Sequence, residues 1–302
     1  MRVSTAQVFR QSVDAMLERQ RELTQTELQV ASGKRIQRPS DDPSAAVRVL
    51  DLQEAQQRLA QYQRNADVAT ARLEQEETAL IGIGNLLQRV RELAVQGANG
   101  TLSAEDRGAI AVEVREHMDG YLQLANTRDP NGEYIFAGFQ SLTRPFSHDG
   151  AGGFNYAGDD GQRMLKIGDS REVATGDPGS IFEDFSAAAG GGLSTNIGEV
   201  LYTLASTLEA GNGHPDALTD IDTALNRLLD TRAKIGARMN AIEDQKSVND
   251  AFTLAVTDVR STLEDLDYAE AISRFNQQMT ALQASQQAFV KIQDMSLFNF
   301  LR

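Results

Sequence analysis

A helical pattern opens at Pro43 and runs to about residue 98. At 1.5 Å per residue it would be roughly 80 Å long. No globular core of a 302-residue chain needs such a helix, whereas a rod does. Proline is well tolerated at the first helical position, and Asp42 before it is the natural N-cap. Gly82 and Gly84 weaken the helix locally and are expected to mark close helix contact. Asn99-Gly100 closes it, and Ser103 with Asp106 three residues on opens a further helix to about 127.

A second long pattern precedes it. From Ala6 the apolar residues step by three and four through Phe9, Val13, Met16, Leu23 and Val30. Gln20 and Glu27 fill two of the seam positions. This is a heptad stripe with weak points, on a helix that needs a partner. Gly33 stands where a C-cap is expected, and Lys34 and Arg35 lie near that negative helix end.

Residues 134 to 185 differ in character. The runs EYIFAGF, GGFNYAG, QRMLKIG and IFEDF are rich in glycine and aromatics and read as short strands. Gly158-Asp159-Asp160-Gly161 reads as a hairpin turn, and 187 to 194 (AAAGGGLS) as a flexible return linker. Helix resumes near Asn196 and breaks at Gly211-Asn212-Gly213 with Pro215. It then runs almost unpunctuated to the C-terminus. Phe252, Val256, Val259, Leu263 and Leu266 form one apolar stripe; Tyr268, Ile272, Phe275, Met279, Leu282 and Phe289 form another. The step from 266 to 268 turns the face by about 200°, so the helix bends near Asp267 or meets a new neighbour.

The predicted fold is mainly α: a long antiparallel helical rod of coiled-coil type, built from both chain ends, with a small inserted β domain. The layout is nearly palindromic. It divides into a terminal helical domain (1–41 with 267–302), a helical rod domain (42–133 with 195–266) and the β domain (134–194). Both termini are expected at one end of the rod and the β domain at the other.

Composition narrows the function. The net charge is −14, which disfavours nucleic acid as a partner, because phosphate attraction needs a basic face. There are no cysteines, hence no disulfides, thiolate metal sites or cysteine nucleophile. No apolar run of about 18 residues is present to span a membrane. The start MRVSTAQVFRQSVDAM does not read as a secretory signal peptide, having no continuous apolar stretch or small-residue cleavage site.

Candidate chemistry is thin. Asp41-Asp42 is open to a metal or acid–base reading, but the proline and helix that follow make capping the simpler account. The three histidines, His117, His148 and His214, are scattered and lack ligand spacing. Ser40 and Ser44 have no local histidine and no strand-to-helix elbow. Neither a catalytic residue nor a cofactor or metal site is expected. More telling is FNQQMTALQASQQAFV, 275 to 290, an amphipathic segment with no charged residue. A solvated helix face normally carries charges, so a subunit interface is the first reading and an internal bundle helix the second.

Four segments resemble the bacterial flagellin superfamily. They are VSTAQVFRQS…ASGKRIQRPSDDPSAA near the start, LLQRVRELAVQGANGTLSAEDRGAIAVEV at 86 to 114, DLDYAEAISRF at 265 to 275, and QASQQAFVKIQDMSLFNFL at 283 to 301. The opening RVSTAQVF, the stretch NGEYIFAGFQSLTRPF and the ending SLFNFL are more similar to members that join hook to filament than to the filament flagellins. The resemblance implies a structural, non-enzymatic subunit of the flagellum that lies outside the cell and templates filament attachment. It would be exported unfolded by flagellar type III secretion on an uncleaved signal. Its implied partners are further copies of itself in a ring or helical assembly, a hook-associated protein on the hook side and flagellin on the filament side. A cytosolic export chaperone would hold residues 265 to 302. Filament flagellin is the alternative, and a secreted adhesin working through its β domain a more distant one.

The assembly interface is expected at Phe9, Val13, Met16 and Leu23, at Lys34, Arg35 and Arg38 of the joint, and at Ile272, Phe275, Met279, Leu282 and Phe289. The basic residues are expected to meet acidic surfaces of neighbours. The stretch QRVRELAVQ, 88 to 96, resembles the flagellin segment recognised by a vertebrate Toll-like receptor. Arg89, Leu93 and Glu113 match that face, which is otherwise a packed helix surface.

Overall fold

The computed structural model describes residues 5–183, 185–186 and 194–298. The protein is mainly helical. In order come α1 (Thr5–Ser32), α2 (Pro43–Gly97), α3 (Ala104–Ala125), the strands β1 (Phe146–His148), β2 (Phe154–Tyr156), β3 (Met164–Lys166) and β4 (Glu172–Ala174), and a 3-10 turn at Gly179–Phe182. Then follow β5 (Phe185–Ser186), β6 (Ser194–Thr195), α4 (Ile197–Glu209), α5 (Asp216–Glu264) and α6 (Tyr268–Phe298). The expected linker at 187–194 lies outside the described residues except for Ser194.

The chain forms two compact units: a terminal one, Met1–Arg58 with Ala251–Arg302, and a central one, Leu59–Asp250. Nearly the whole apolar core is in the central unit. On α2, Ala66, Ala69, Leu73, Leu80, Ile83, Leu87 and Val90 are buried. These steps of three and four continue on α5 through Ile221, Ala224, Leu228, Ile235 and Ile242. Ile110, Val114, Met118 and Leu122 of α3, and Leu201, Leu204 and Leu208 of α4, join the same cluster. Gly82 is a point of close packing, since a Cβ there would lie 3.1 Å from Leu124. Gly84 faces open space and does not mark a contact.

Helix ends in this unit are closed as their sequences predict. Ser103 and Asp106 form a reciprocal capping box at α3, and Asn196 with Glu199 forms another at α4. Arg107 donates to Gly97 O (3.0 Å), Asn99 O (2.9 Å) and Gly211 O (2.9 Å). One guanidinium thereby satisfies carbonyls left over at the end of α2 and at the turn after α4. His214 accepts the Ala217 N–H at the start of α5, and His148 lies between Phe154 and Tyr202.

The β region departs from expectation in three places. β1–β2 and β3–β4 are separate antiparallel hairpins, in register Phe146↔Tyr156 and Met164↔Ala174. Asp159 therefore closes no hairpin. It lies between the two and accepts the Phe139 N–H (2.8 Å), from the 134–141 turn, and the Gly161 N–H (2.9 Å). The EYIFAGF run is a turn in which Tyr134 N–H reaches Ser141 O at 2.7 Å, with Gly138 at φ 65°. A Cβ at Gly138 would sit 2.2 Å from Asp159 O, so only glycine fits this approach. IFEDF begins within the 3-10 turn. Both aromatic runs supply anchors for a core in place of strands: Phe136 and Phe182 meet edge-to-face at 4.9 Å, and Tyr121 (6.1 Å) and Phe146 (5.8 Å) flank Phe182.

Tyr121 carries a cost inside that cluster. It is 1% exposed, and its hydroxyl has no hydrogen-bond partner among the described residues. Replacing it by phenylalanine keeps the ring contacts and removes an unsatisfied group. Tyr121→Phe is expected to stabilise the central unit by about 1 kcal/mol in denaturant unfolding. A destabilisation would mean that the hydroxyl is satisfied.

Candidate assembly surface

The terminal unit is built from α1, α6, the joint 33–42, and the adjoining residues 43–58 and 251–264. α1 and α6 pack antiparallel. At one end Phe9 and Phe289 have ring centroids 5.0 Å apart; at the other the Tyr268 hydroxyl lies against Gly33. Val13, Met16, Leu23, Phe275, Leu282 and Phe289 are half-buried between them. In its second half the α1 seam shifts from the expected Glu27 to Thr26, whose hydroxyl donates to Glu22 O at 3.1 Å. Gln29 is also buried and donates to Arg35 O at 2.8 Å.

What this pair lacks is a core. Among the described residues of the terminal unit, the only fully buried apolar side chains are Ala45, Val49, Leu266 and Ala271. Against them stand Phe9, Leu17, Leu28, Val47, Leu50, Phe252, Leu254, Ile272 and Val290, all more than 40% exposed. Each half-exposed side chain leaves on the order of 1 kcal/mol of hydrophobic stabilisation unrealised. The α6 surface at Ser273, Asn276, Gln277, Thr280 and Ala284 is polar or small and uncharged. Such a face can be covered without desolvating ions.

The joint itself is a closed structure. Gly33 ends α1 at φ 70°. Backbone bonds then run from Arg35 N–H to Glu264 O (2.7 Å) and from Leu266 N–H to Gly33 O (3.0 Å). The break between α1 and α2 is thus laid against a second break, at 265–267, between α5 and α6. Of the two readings of the 266–268 step, the break near Asp267 is the one found: α5 stops at Glu264 and Asp267 caps α6, taking the N–H groups of Ala269 (2.9 Å) and Glu270 (3.2 Å). The acidic pair is used in turns. Asp41 accepts the N–H groups of Gln37 and Arg38, and Asp42 those of Ala45 and the Ser44 hydroxyl. The Ala45 N–H first, then Ser44 and Arg35, hold the Asp42 carboxyl below its usual range.

Of the three basic residues, Lys34 pairs with the buried carboxylate of Glu264. Arg35 donates to Leu263 O at 2.7 Å and lies 3.6 Å from Asp42. The Arg38 side chain makes no ion pair within the described residues and lines an open groove of about 570 Å³ with Leu17, Arg21, Leu28 and Asp41. The distant match set at 88–113 divides. Arg89 donates to Glu113 at 2.8 Å on the surface, whereas Leu93 is 1% exposed and belongs to the core.

Models of the bacterial flagellin N-terminal and C-terminal helical regions match residues 3–141 and 218–301. The chain is 33% identical to flagellar hook-associated protein 3 of Escherichia coli K12, over 99% of both chains. The chain belongs to the bacterial flagellin family. Hook-associated protein 3 of Salmonella typhimurium is 31% identical over the whole of both chains. Flagellins themselves match at 25% and 29%. The crystal structure of hook-associated protein 3 from Legionella pneumophila has the same fold, with a TM-score of 0.63 at 21% identity, over 70% of this chain and 98% of that one.

For a flagellin-family chain the two breaks were only half legible. Gly33 and Pro43 announced the first, but nothing local said that Glu264–Leu266 would pair with it. The spaced aspartates 265 and 267, followed by Tyr268, were the available signal. Charge reversal now separates the basic residues. Lys34→Glu should destabilise the monomer by on the order of 1–2 kcal/mol, since it sets a second carboxylate against the buried Glu264 and leaves it only the longer contact with Arg260 (3.5 Å). Arg38→Glu should leave monomer unfolding unchanged and weaken self-association in sedimentation; equal effects on both would refute the division. Gly33→Ala should cost about 1–2 kcal/mol in the same unfolding measurement, because it is strained at positive φ and crowds Tyr268. A neutral result would show that the joint relaxes freely.

Proposed function

We propose that this protein is a structural subunit of the hook–filament junction, on which filament attachment is templated. The observation that carries the reading is the terminal unit's shortage of buried apolar side chains beside a well-filled central unit. A helix pair in that state gains stability chiefly from adjacent copies, and contacts that repeat head to tail without closing on a pair generate rings or helical tubes. The candidate interface is Phe9, Val13, Met16, Leu23 and Arg38 with Ile272, Phe275, Met279, Leu282 and Phe289. Lys34 and Arg35 shape it through the joint. Neighbouring copies, a hook-associated protein on one side and flagellin on the other are the partners this reading requires.

The location follows from the same reading: outside the cell, after export without a cleaved signal through the flagellar type III route. A cytosolic chaperone covering 265–302 would shield the apolar α6 face before export. No catalytic role is assigned. Full-length likeness to hook-associated protein 3, at higher identity than to flagellins, favours the junction over the filament itself. On the Toll-like receptor side, only Arg89 and Glu113 offer a surface contact.

Deleting the gene in a motile strain distinguishes the two flagellar roles. Intact hooks with flagellin shed into the medium are expected for a junction subunit. Intact hooks with no shed flagellin would assign the chain to the filament.

A further inference from the structure

The α2–α5 seam of the central unit is apolar at most levels, yet at one level it is ionisable on both helices. Glu76 lies between Leu73 and Leu80 in the α2 series, and Arg238 between Ile235 and Ile242 in the α5 series. Glu76 is 2% exposed. Its Oε1 accepts the Asp177 N–H at 3.1 Å, from the segment that follows β4. Its Oε2 has no partner among the described residues. A polar cavity of about 40 Å³ adjoins it, enough for one water.

The charges around Glu76 are already allotted. Arg238 spends two 2.9 Å bonds on the Asp177 carboxylate, which also takes the Gln162 amide at 2.7 Å. Across the cavity Arg72 is held by Asp129 (3.3 Å) and Glu133 (2.8 Å), and Arg163 by Glu133 (2.7 Å). Among the described residues no cation is left to bond a second carboxylate beside Asp177, although the Arg238 charge partly offsets the repulsion that Glu76 meets there. An ionised Glu76 would be a buried charge with no hydrogen-bonded cation and room for one water at most, a state that proteins avoid by retaining the proton. Burial first, and then the Asp177 charge, push its carboxyl up to about 8.

We propose that Glu76 is a proton-operated latch: as a neutral acid it holds the 175–179 segment on the α2–α5 seam, and its ionisation loosens that segment. The folded chain then carries one proton more than the unfolded chain between the ordinary carboxyl value of 4.5 and about 8. The stabilisation is complete below that window and is lost as pH rises through it, by up to about tenfold in the folding constant per pH unit.

The test is urea unfolding of the full-length chain between pH 5.5 and 8.5, followed by near-ultraviolet circular dichroism, for the wild type and Glu76→Gln. The amide keeps an acceptor for the Asp177 N–H but cannot titrate. The wild-type folding constant should fall with pH more steeply than the variant's, by close to tenfold per unit; parallel slopes overturn the latch. Infrared spectroscopy of wild-type chain with isotope-labelled glutamate decides the matter even if the variant fails to fold. A protonated carboxyl band at pH 7 that disappears above about 8 supports the proposal, and its absence at pH 7 overturns it.

Discussion

Two α-helices laid side by side have too little facing surface to bury a seam completely, and the terminal unit of this chain depends on that limit. Phe9, Phe289 and the residues between them touch, yet the large side chains stay half-buried and only small or polar ones such as Thr26, Gln29 and Ala271 are closed off. A third and fourth neighbour are needed to complete such a seam. The central unit meets the same geometric problem by supplying those neighbours from its own sequence, as α3 and α4 pack onto α2 and α5. One chain thus holds a finished bundle and an unfinished one, and the proposed assembly role rests on the unfinished one.

How much of this could be read in the sequence depended on how local the cause was. Pro43, Ser103, Asn196 and Gly211 act on their own helix ends, and the elements begin and stop where those residues stand. Heptad steps gave the seams, because burial follows a helix face. The β region was less legible. Glycine-rich aromatic runs satisfy strand patterning and turn patterning equally, and the decision lay with Phe136 and Phe182 meeting Tyr121 and Phe146 far along the chain. Glu27 gave way to Thr26 for a similar reason: a threonine can return its hydroxyl to its own helix, whereas a buried glutamate needs a cationic partner to offset its lost hydration.

The assembly residues show the same division. The α1 and α6 stripes could be chosen from periodicity alone; Val13, Met16, Leu23, Phe275, Leu282 and Phe289 are half-buried, whereas Ile272 and Met279 stay exposed, and their part in assembly is a proposal. The basic joint could not be sorted that way. Lys34, Arg35 and Arg38 look equivalent in sequence, but the first two are drawn inward by Glu264, Leu263 and Asp42, which leaves Arg38 as the outward charge. Leu93 is the converse case, a matching residue whose side chain is spent on the core.

The contact between Tyr268 and Gly33 has a practical consequence. Of the six tyrosines in the chain, Tyr268 alone falls in the terminal unit, and tryptophan is absent. Its phenol rests on the one glycine whose backbone turn closes the joint. The molecule therefore carries an intrinsic label at its joint: the ring resonance of this one tyrosine reports whether α1 and α6 are engaged there, with no dye attached.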